Sequence, residues 1–163
     1  MDIEYRRFDH KPDLYRYILE QVEGTWAETP DLTAALANTS AVLMLLMPDL
    51  NWAGFYLMRD GALVLGPFQG KPAVAHIGVG AGVCGTAVAE RKAQLVENVH
   101  KCCNHIACDL ATNSELVVPV FTGEEIFGVI DLDSPVAARF DEEDRHGIEA
   151  LAATLGKLLA DKT

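Results

Sequence analysis

Thiols and carboxylates crowd into one part of this sequence. All four cysteines, Cys84, Cys102, Cys103 and Cys108, fall between Gly82 and Cys108, and His76, His100 and His105 lie in or just before that span. Asp131 and Asp133 follow in the apolar run EIFGVIDLD. The period of a strand puts both carboxylates on one face with Phe127 and Val129, while Ile126, Gly128, Ile130 and Leu132 take the other. Two acids on a mostly apolar face are candidate ligand groups. Thiol redox catalysis needs one thiol to attack, a second to form a disulfide and an acid nearby, and this region supplies all three types.

Two other readings of the thiols are weaker. HKCCNHIAC, from His100 to Cys108, offers several zinc donors, but it has no C-x-x-C pair, and adjacent cysteines rarely converge on one tetrahedral ion. No bound metal or cofactor is expected. Simple burial suits one or two cysteines, not four in polar or glycine-rich surroundings.

Composition narrows the context. The 163 residues fit a single domain, 1–163, with an adequate core. A formal net charge of -11 argues against nucleic acid and against anionic membrane surfaces. No apolar run approaches the ~20 residues of a spanning helix. MDIEYRRFDH lacks the apolar core of a signal peptide. The expected compartment is the cytoplasm, where thiols stay reduced and cysteines are better read as reactive than as structural disulfides.

Elements must hold these groups in place. Leu14, Ile18 and Val22 predict a helix that begins near Pro12-Asp13 and ends at Gly24. Asp31 caps a second helix that Pro48-Asp49 stops. Residues 51–69 predict a hairpin turning at Asp60-Gly61. In its first strand Trp52, Gly54 and Tyr56 share a face, with a notch at the glycine; this stripe is either core packing or the wall of a ligand site. Residues 73–79 form a short strand, followed by the loop GVGAG and the helix CGTAVAERK. No Lys-Ser/Thr completes a P-loop. The helix start would favour an anion and lower the Cys84 thiol pKa. Residues 94–96 form another strand. Residues 98–113 form a long loop with three of the cysteines. Residues 115–133 make a second hairpin turning at Thr122-Gly123, and Asp141 caps a last amphipathic helix. The order predicts an α+β domain, an antiparallel sheet covered by helices.

NWAGFYL, LVLGPFQGKPA, GVCGTAVA, HIACDLATNSE-VVPV and GVIDLDSP together closely resemble the free methionine-(R)-sulfoxide reductases, small GAF-domain proteins, over about Asp31 to Leu158. The resemblance implies a six-stranded antiparallel sheet flanked by helices, usually in a homodimer. It implies reduction of free methionine-(R)-sulfoxide with thioredoxin as reductant. The family's attacking cysteine falls on Cys108 and its GVCGT cysteine on Cys84. The acids that hold substrate fall on Glu115, Asp131 and Asp133, and the aromatic wall on Trp52 and Tyr56. In GKPAVAHI the chain departs from its family, with Val74 where a cysteine is common and His76 where an arginine is common. Cys84 is the favoured resolving thiol. Cys102 and Cys103, at no family position, are the alternatives, because a small ring closes at little entropic cost. The competing reading from another class is a GAF module that binds a small ligand or senses redox state.

Overall fold

The computed structural model describes residues 2–101 and 109–162. The chain runs through α1 (Lys11–Glu28), α2 (Leu32–Leu46), β1 (Trp52–Arg59), β2 (Ala62–Gly70), β3 (His76–Gly78), α3 (Gly82–Glu90), β4 (Gln94–Val96), a 3-10 turn at Val99–Lys101, β5 (Ser114–Thr122), β6 (Glu125–Ser134) and α4 (Glu142–Asp161). The six strands form one sheet in the order β3-β2-β1-β6-β5-β4, and every neighbouring pair is antiparallel. This is the predicted α+β architecture. Among the described residues no helix is long and apolar enough to cross a membrane.

Strand alternation gives the sheet two unlike faces. Phe55, Leu116, Ile130 and Leu132 pack with α1, α2 and α4 in the larger core, whereas Trp52, Tyr56, Val117 and Val129 pack with Val83, Cys84 and Ala87 of α3. The three-helix side supplies most of the buried apolar surface, at about 25 cal/mol per Å² removed from water. Among the described residues the α3 side has a single short helix, and it is the side that carries Glu115, Asp131 and Asp133.

Local signals place most element ends. The Asp31 side chain accepts from the Ala34 amide at 2.9 Å, and Asp141 and Asp144 form a reciprocal capping box on α4. Asp60 and Gly61 take φ of 49° and 80°, as a two-residue hairpin turn with the twist of its strands requires.

Several expectations are corrected. Helix α1 runs through Gly24 to Glu28. An internal glycine costs about 1 kcal/mol, but Trp26 beyond it is 3% exposed and its indole donates to Thr39 Oγ1 at 2.8 Å. Burying a side chain of that size offsets the glycine. Helix α3 stops at Glu90, before the expected Lys92, because Arg91 takes a left-handed φ of 56°. The Arg91 guanidinium is fixed there by the Glu124 carbonyl at 2.5 Å and by the Phe121 ring. The second hairpin turns at Gly123-Glu124, one residue later than expected, with Thr122 paired to Glu125. A bulge follows: Phe121 pairs with Ile126 and Val120 with Gly128. The extra residue reverses the alternation, so Phe127 packs on the three-helix core and Ile126 on the α3 side. Strand β3 is shorter than residues 73–79, and residues 71–75 leave the sheet.

Candidate active site

Register brings the acids together. Glu115 on β5 lies opposite Asp133 on β6, and Asp133 lies opposite Trp52 on β1; one pleat on, Asp131 lies between Val117 and Gly54. Beyond the bulge the alternation is regular, so Asp131 and Asp133 do share a face. Cys84, in the first turn of α3, closes the site from above, and its thiol donates to Asp131 Oδ2 at 3.4 Å. Helix α3 sits this close because Gly85 has no side chain: a Cβ there would collide with the Gly78 carbonyl. The result is a small pocket, with about 20 Å³ of free volume, lined by Trp52, Tyr56, Cys84, Glu115, Asp131 and Asp133.

The aromatic stripe is both packing and wall. Trp52 and Tyr56 are each 2% exposed, yet both line the pocket. Their polar ends are latched to the segment after β2: the Trp52 indole donates to the Lys71 carbonyl at 3.1 Å, and the Tyr56 hydroxyl to the Val74 carbonyl at 3.0 Å. The expected notch at Gly54 is filled, since a Cβ there would collide with Phe68, whose ring stacks on Trp52 at 5.0 Å. Val74 thus holds the aromatic wall through its backbone carbonyl.

Electrostatics set this site apart. Glu115 and Asp131 are buried, and Asp133 is partly exposed. Burial pushes all three carboxyl groups well above the ordinary range, and mutual repulsion adds to it. No basic side chain lines the pocket among the described residues. Asp131 Oδ1 and Asp133 Oδ1 are buried with no hydrogen-bond partner among the described residues. Such oxygens are costly unless a ligand supplies donors.

The expected lowering of the Cys84 thiol pKa is overturned. Burial, then the charges of Asp131, Glu115 and Asp133, push it up. A helix N-terminus contributes ~0.3–1 kcal/mol, whereas two like charges 4 Å apart repel by about 4 kcal/mol at an effective dielectric of 20. The acids outweigh the helix, and Cys84 rests as a neutral thiol.

Cys102, Cys103, His105 and Cys108 lie outside the described residues, but the residues on either side of them are described. Asp109, next to Cys108, accepts from the Ala111 amide at 2.9 Å, from Asn51 Nδ2 at 3.2 Å and from Lys71 Nζ at 3.5 Å. The Ala111 amide, then the Lys71 charge, hold its carboxyl below the ordinary range. Asn51 also donates to Thr112 Oγ1 at 3.0 Å, and its amide donates to the Asp133 carbonyl at 3.0 Å. Asn113 Oδ1 meets His100 Nε2 at 3.0 Å, and its Nδ2 donates to the Pro135 carbonyl at 2.6 Å. Asn51, Asp109 and Asn113 therefore tie residues 109–113 to the acid-bearing strand. Sequence reasoning gave these three residues no role; they stood inside the recognised motifs without a spacing to mark them.

Comparison with known proteins agrees with this geometry. A family model described as GAF domain matches residues 32–160. A free methionine-R-sulfoxide reductase from Escherichia coli is 49% identical over 93% of this chain and 92% of its own length. The solved free methionine-R-sulfoxide reductase from Neisseria meningitidis, in complex with its substrate, is 40% identical with a TM-score of 0.93 over 99% of this chain and 96% of that one. A substrate complex of the Staphylococcus aureus protein is 41% identical with a TM-score of 0.85, over 96% of this chain and 99% of that one. With identity of this order along nearly the whole length, and the acids, aromatic wall and α3 cysteine gathered in one pocket, the chain belongs to the free methionine-R-sulfoxide reductase family of GAF-domain proteins.

Proposed function

We propose that this protein reduces free L-methionine-(R)-S-oxide to L-methionine. One observation carries the reading: a group of carboxylates with no basic side chain beside it among the described residues, in a pocket walled by Trp52 and Tyr56. A free amino acid brings the missing cation as its ammonium. Asp131 Oδ1 and Asp133 Oδ1 accept its protons, and the rings of Trp52 and Tyr56 face the apolar side chain. A methionine inside a peptide has no ammonium to offer.

In this reading the Cys108 thiolate attacks the sulfoxide sulfur. The sulfur–oxygen unit is a poor leaving group until protonated. Carboxyls with raised pKa can hold that proton at neutral pH, and the Glu115–Asp131–Asp133 group provides them. The oxygen transfers to Cys108 as a sulfenic acid, and the substrate leaves as a thioether. A second thiol then condenses with the sulfenic acid, releasing water and forming a disulfide, which thioredoxin reduces. Cys84 is the favoured second thiol because it already stands over the acids; Cys102 and Cys103 are the alternatives. Cytoplasmic location and a homodimer complete the proposal.

Single-turnover chemistry tests it. Reduced protein given substrate without reductant should yield about one methionine per chain, and Cys108→Ser should yield none. A full turnover by the variant would assign the attack to another cysteine. After one equivalent of substrate, peptide mapping should find Cys84 bridged to Cys108. A bridge from Cys108 to Cys102 or Cys103 would remove Cys84 from the resolving role.

A further inference from the structure

The pocket also holds a sulfur and two carboxylates in the arrangement that a borderline-soft divalent cation takes. Cys84 Sγ and one carboxylate oxygen each from Glu115 and Asp131 lie within 4.8 Å of one another, and all three residues are buried. Zinc bonds of ~2.3 Å to sulfur and ~2.0–2.2 Å to oxygen, at the tetrahedral angle, separate the two donors by about 3.5 Å. Cys84 Sγ and Asp131 Oδ2 stand 3.4 Å apart, on one edge of such a tetrahedron. A second observation points to a ligand. Asp131 is 6% exposed, lines the pocket, and keeps its Oδ1 buried with no hydrogen-bond partner among the described residues. The thiol satisfies Oδ2 only. The sulfur donor selects against magnesium and calcium, and the mixed sulfur–oxygen set suits zinc.

We propose that Cys84, Glu115 and Asp131 form a zinc-class cation site that excludes substrate from the pocket. Three protein donors leave the fourth position of the ion open toward the pocket, as in zinc sites that keep an exchangeable ligand. The thiol proton of Cys84, and the proton held among the carboxyl groups, pass to solvent as the metal–sulfur and metal–oxygen bonds form, and no electron is transferred. The ion takes the place of the ammonium between the acids and occupies the favoured resolving sulfur. Metal binding thus switches off the reduced enzyme reversibly. The exclusion of substrate rests on the function proposed above; the binding of the ion does not.

Cobalt is the probe, because its thiolate bond absorbs light. The reduced full-length chain, titrated with Co2+ in metal-free buffer, should take up one equivalent with a sulfur-to-cobalt charge-transfer band and the intense visible bands of tetrahedral cobalt. Zinc should displace it. Cys84→Ser should lose the charge-transfer band. Asp131→Asn, which keeps its shape, should weaken binding by about tenfold or more, since even outer-shell partners are worth ~10–100-fold. A chain with Cys102, Cys103 and Cys108 all changed to serine should bind as before. A band that survives Cys84→Ser and disappears in the triple variant would place the ion on the HKCCNHIAC segment and overturn the proposal, as would the absence of cobalt binding. Methionine sulfoxide should displace cobalt where glycine at equal concentration, a control for chelation, does not; equal effects would overturn the exclusion. A chain that binds cobalt in this way without reducing methionine sulfoxide would refute the proposed reaction and leave the metal site standing.

Discussion

Two regions of this molecule bury aspartate, and they do it in opposite ways. Asp144, 0% exposed at the start of α4, accepts from Tyr15 at 2.6 Å, Lys11 at 2.7 Å, Arg139 at 3.3 Å and the Asp141 amide at 2.9 Å. Every oxygen is used and two cations neutralise the charge. Asp131, 6% exposed on the other face of the sheet, has a thiol, two acidic neighbours and an oxygen with no donor among the described residues. The first arrangement fastens α4 to α1 and the Arg139 turn. The second has no cation beside it among the described residues, and the proposed ammonium would supply one. A buried charge that is fully paired holds a fold together; one left unpaired marks where something binds.

Removing each acid should separate the two roles. Asp144→Ala strands the buried Arg139, leaves Lys11 with Asp141 alone, and should cost about 3–5 kcal/mol of stability, the usual result of breaking a buried ion pair. Thermal melting measures it, with the specific activity of the remaining folded protein unchanged. Asp131→Asn should do the reverse. It removes one charged contact to substrate, so kcat/KM should fall about ten- to a hundred-fold, or roughly 1.5–3 kcal/mol, while the melting temperature holds or rises. A variant at Asp131 that melts early and keeps its kcat/KM would break the comparison.

The pH dependence of stability should differ in sign. Glu115, Asp131 and Asp133 have folded pKa values above their unfolded ones, so the native state binds more protons between the two. Their contribution is therefore greatest below the unfolded carboxylate range, near pH 4, and is lost as pH rises through the folded values. Asp141, lowered from 3.8 to about 2 chiefly by its hydrogen bond to Lys11, behaves oppositely. Its contribution is present above pH 3.8 and is lost as pH falls through about 2; with the side chain 54% exposed, the effect is small. Denaturant titrations from pH 3 to 8 should show unliganded protein losing stability across the neutral side, and Asp131→Asn flattening that slope. A steeper slope in the variant would contradict the assignment.

Legibility in the sequence followed how local each signal was. Asp31, Asp141 and the Asp60-Gly61 turn act over three or four residues, and the structure has them where the sequence put them. The pairing of Asp131 with Asp133 was readable because both lie past the β6 bulge; Phe127 and Ile126, at the bulge, were assigned to the wrong faces because an extra residue leaves no trace in the alternation. The end of α1 escaped because Trp26 packing on Thr39 overrides Gly24. The ionisation of Cys84 was misjudged for the same kind of reason. The helix start is visible along the chain, but the acids that overrule it arrive from strands β5 and β6. Glu115 came from family resemblance alone, since nothing in its own segment distinguishes it from a surface acid until β5 pairs with β6. The anchoring by Asn51 and Asp109 joins β1 to the loop exit, a contact no local pattern encodes.

The most direct test of Asp131 and Asp133 asks whether they read a free ammonium. Reduced enzyme should be assayed with a thioredoxin-coupled system on L-methionine-(R)-S-oxide, its S epimer and the N-acetylated R sulfoxide. The account predicts turnover of the free R sulfoxide, and little of the S epimer or of the acetylated compound, whose blocked nitrogen carries no charge. Equal kcat/KM for the free and acetylated R sulfoxides would show that the carboxylates do not recognise the ammonium, and would contradict the role assigned to Asp131 and Asp133.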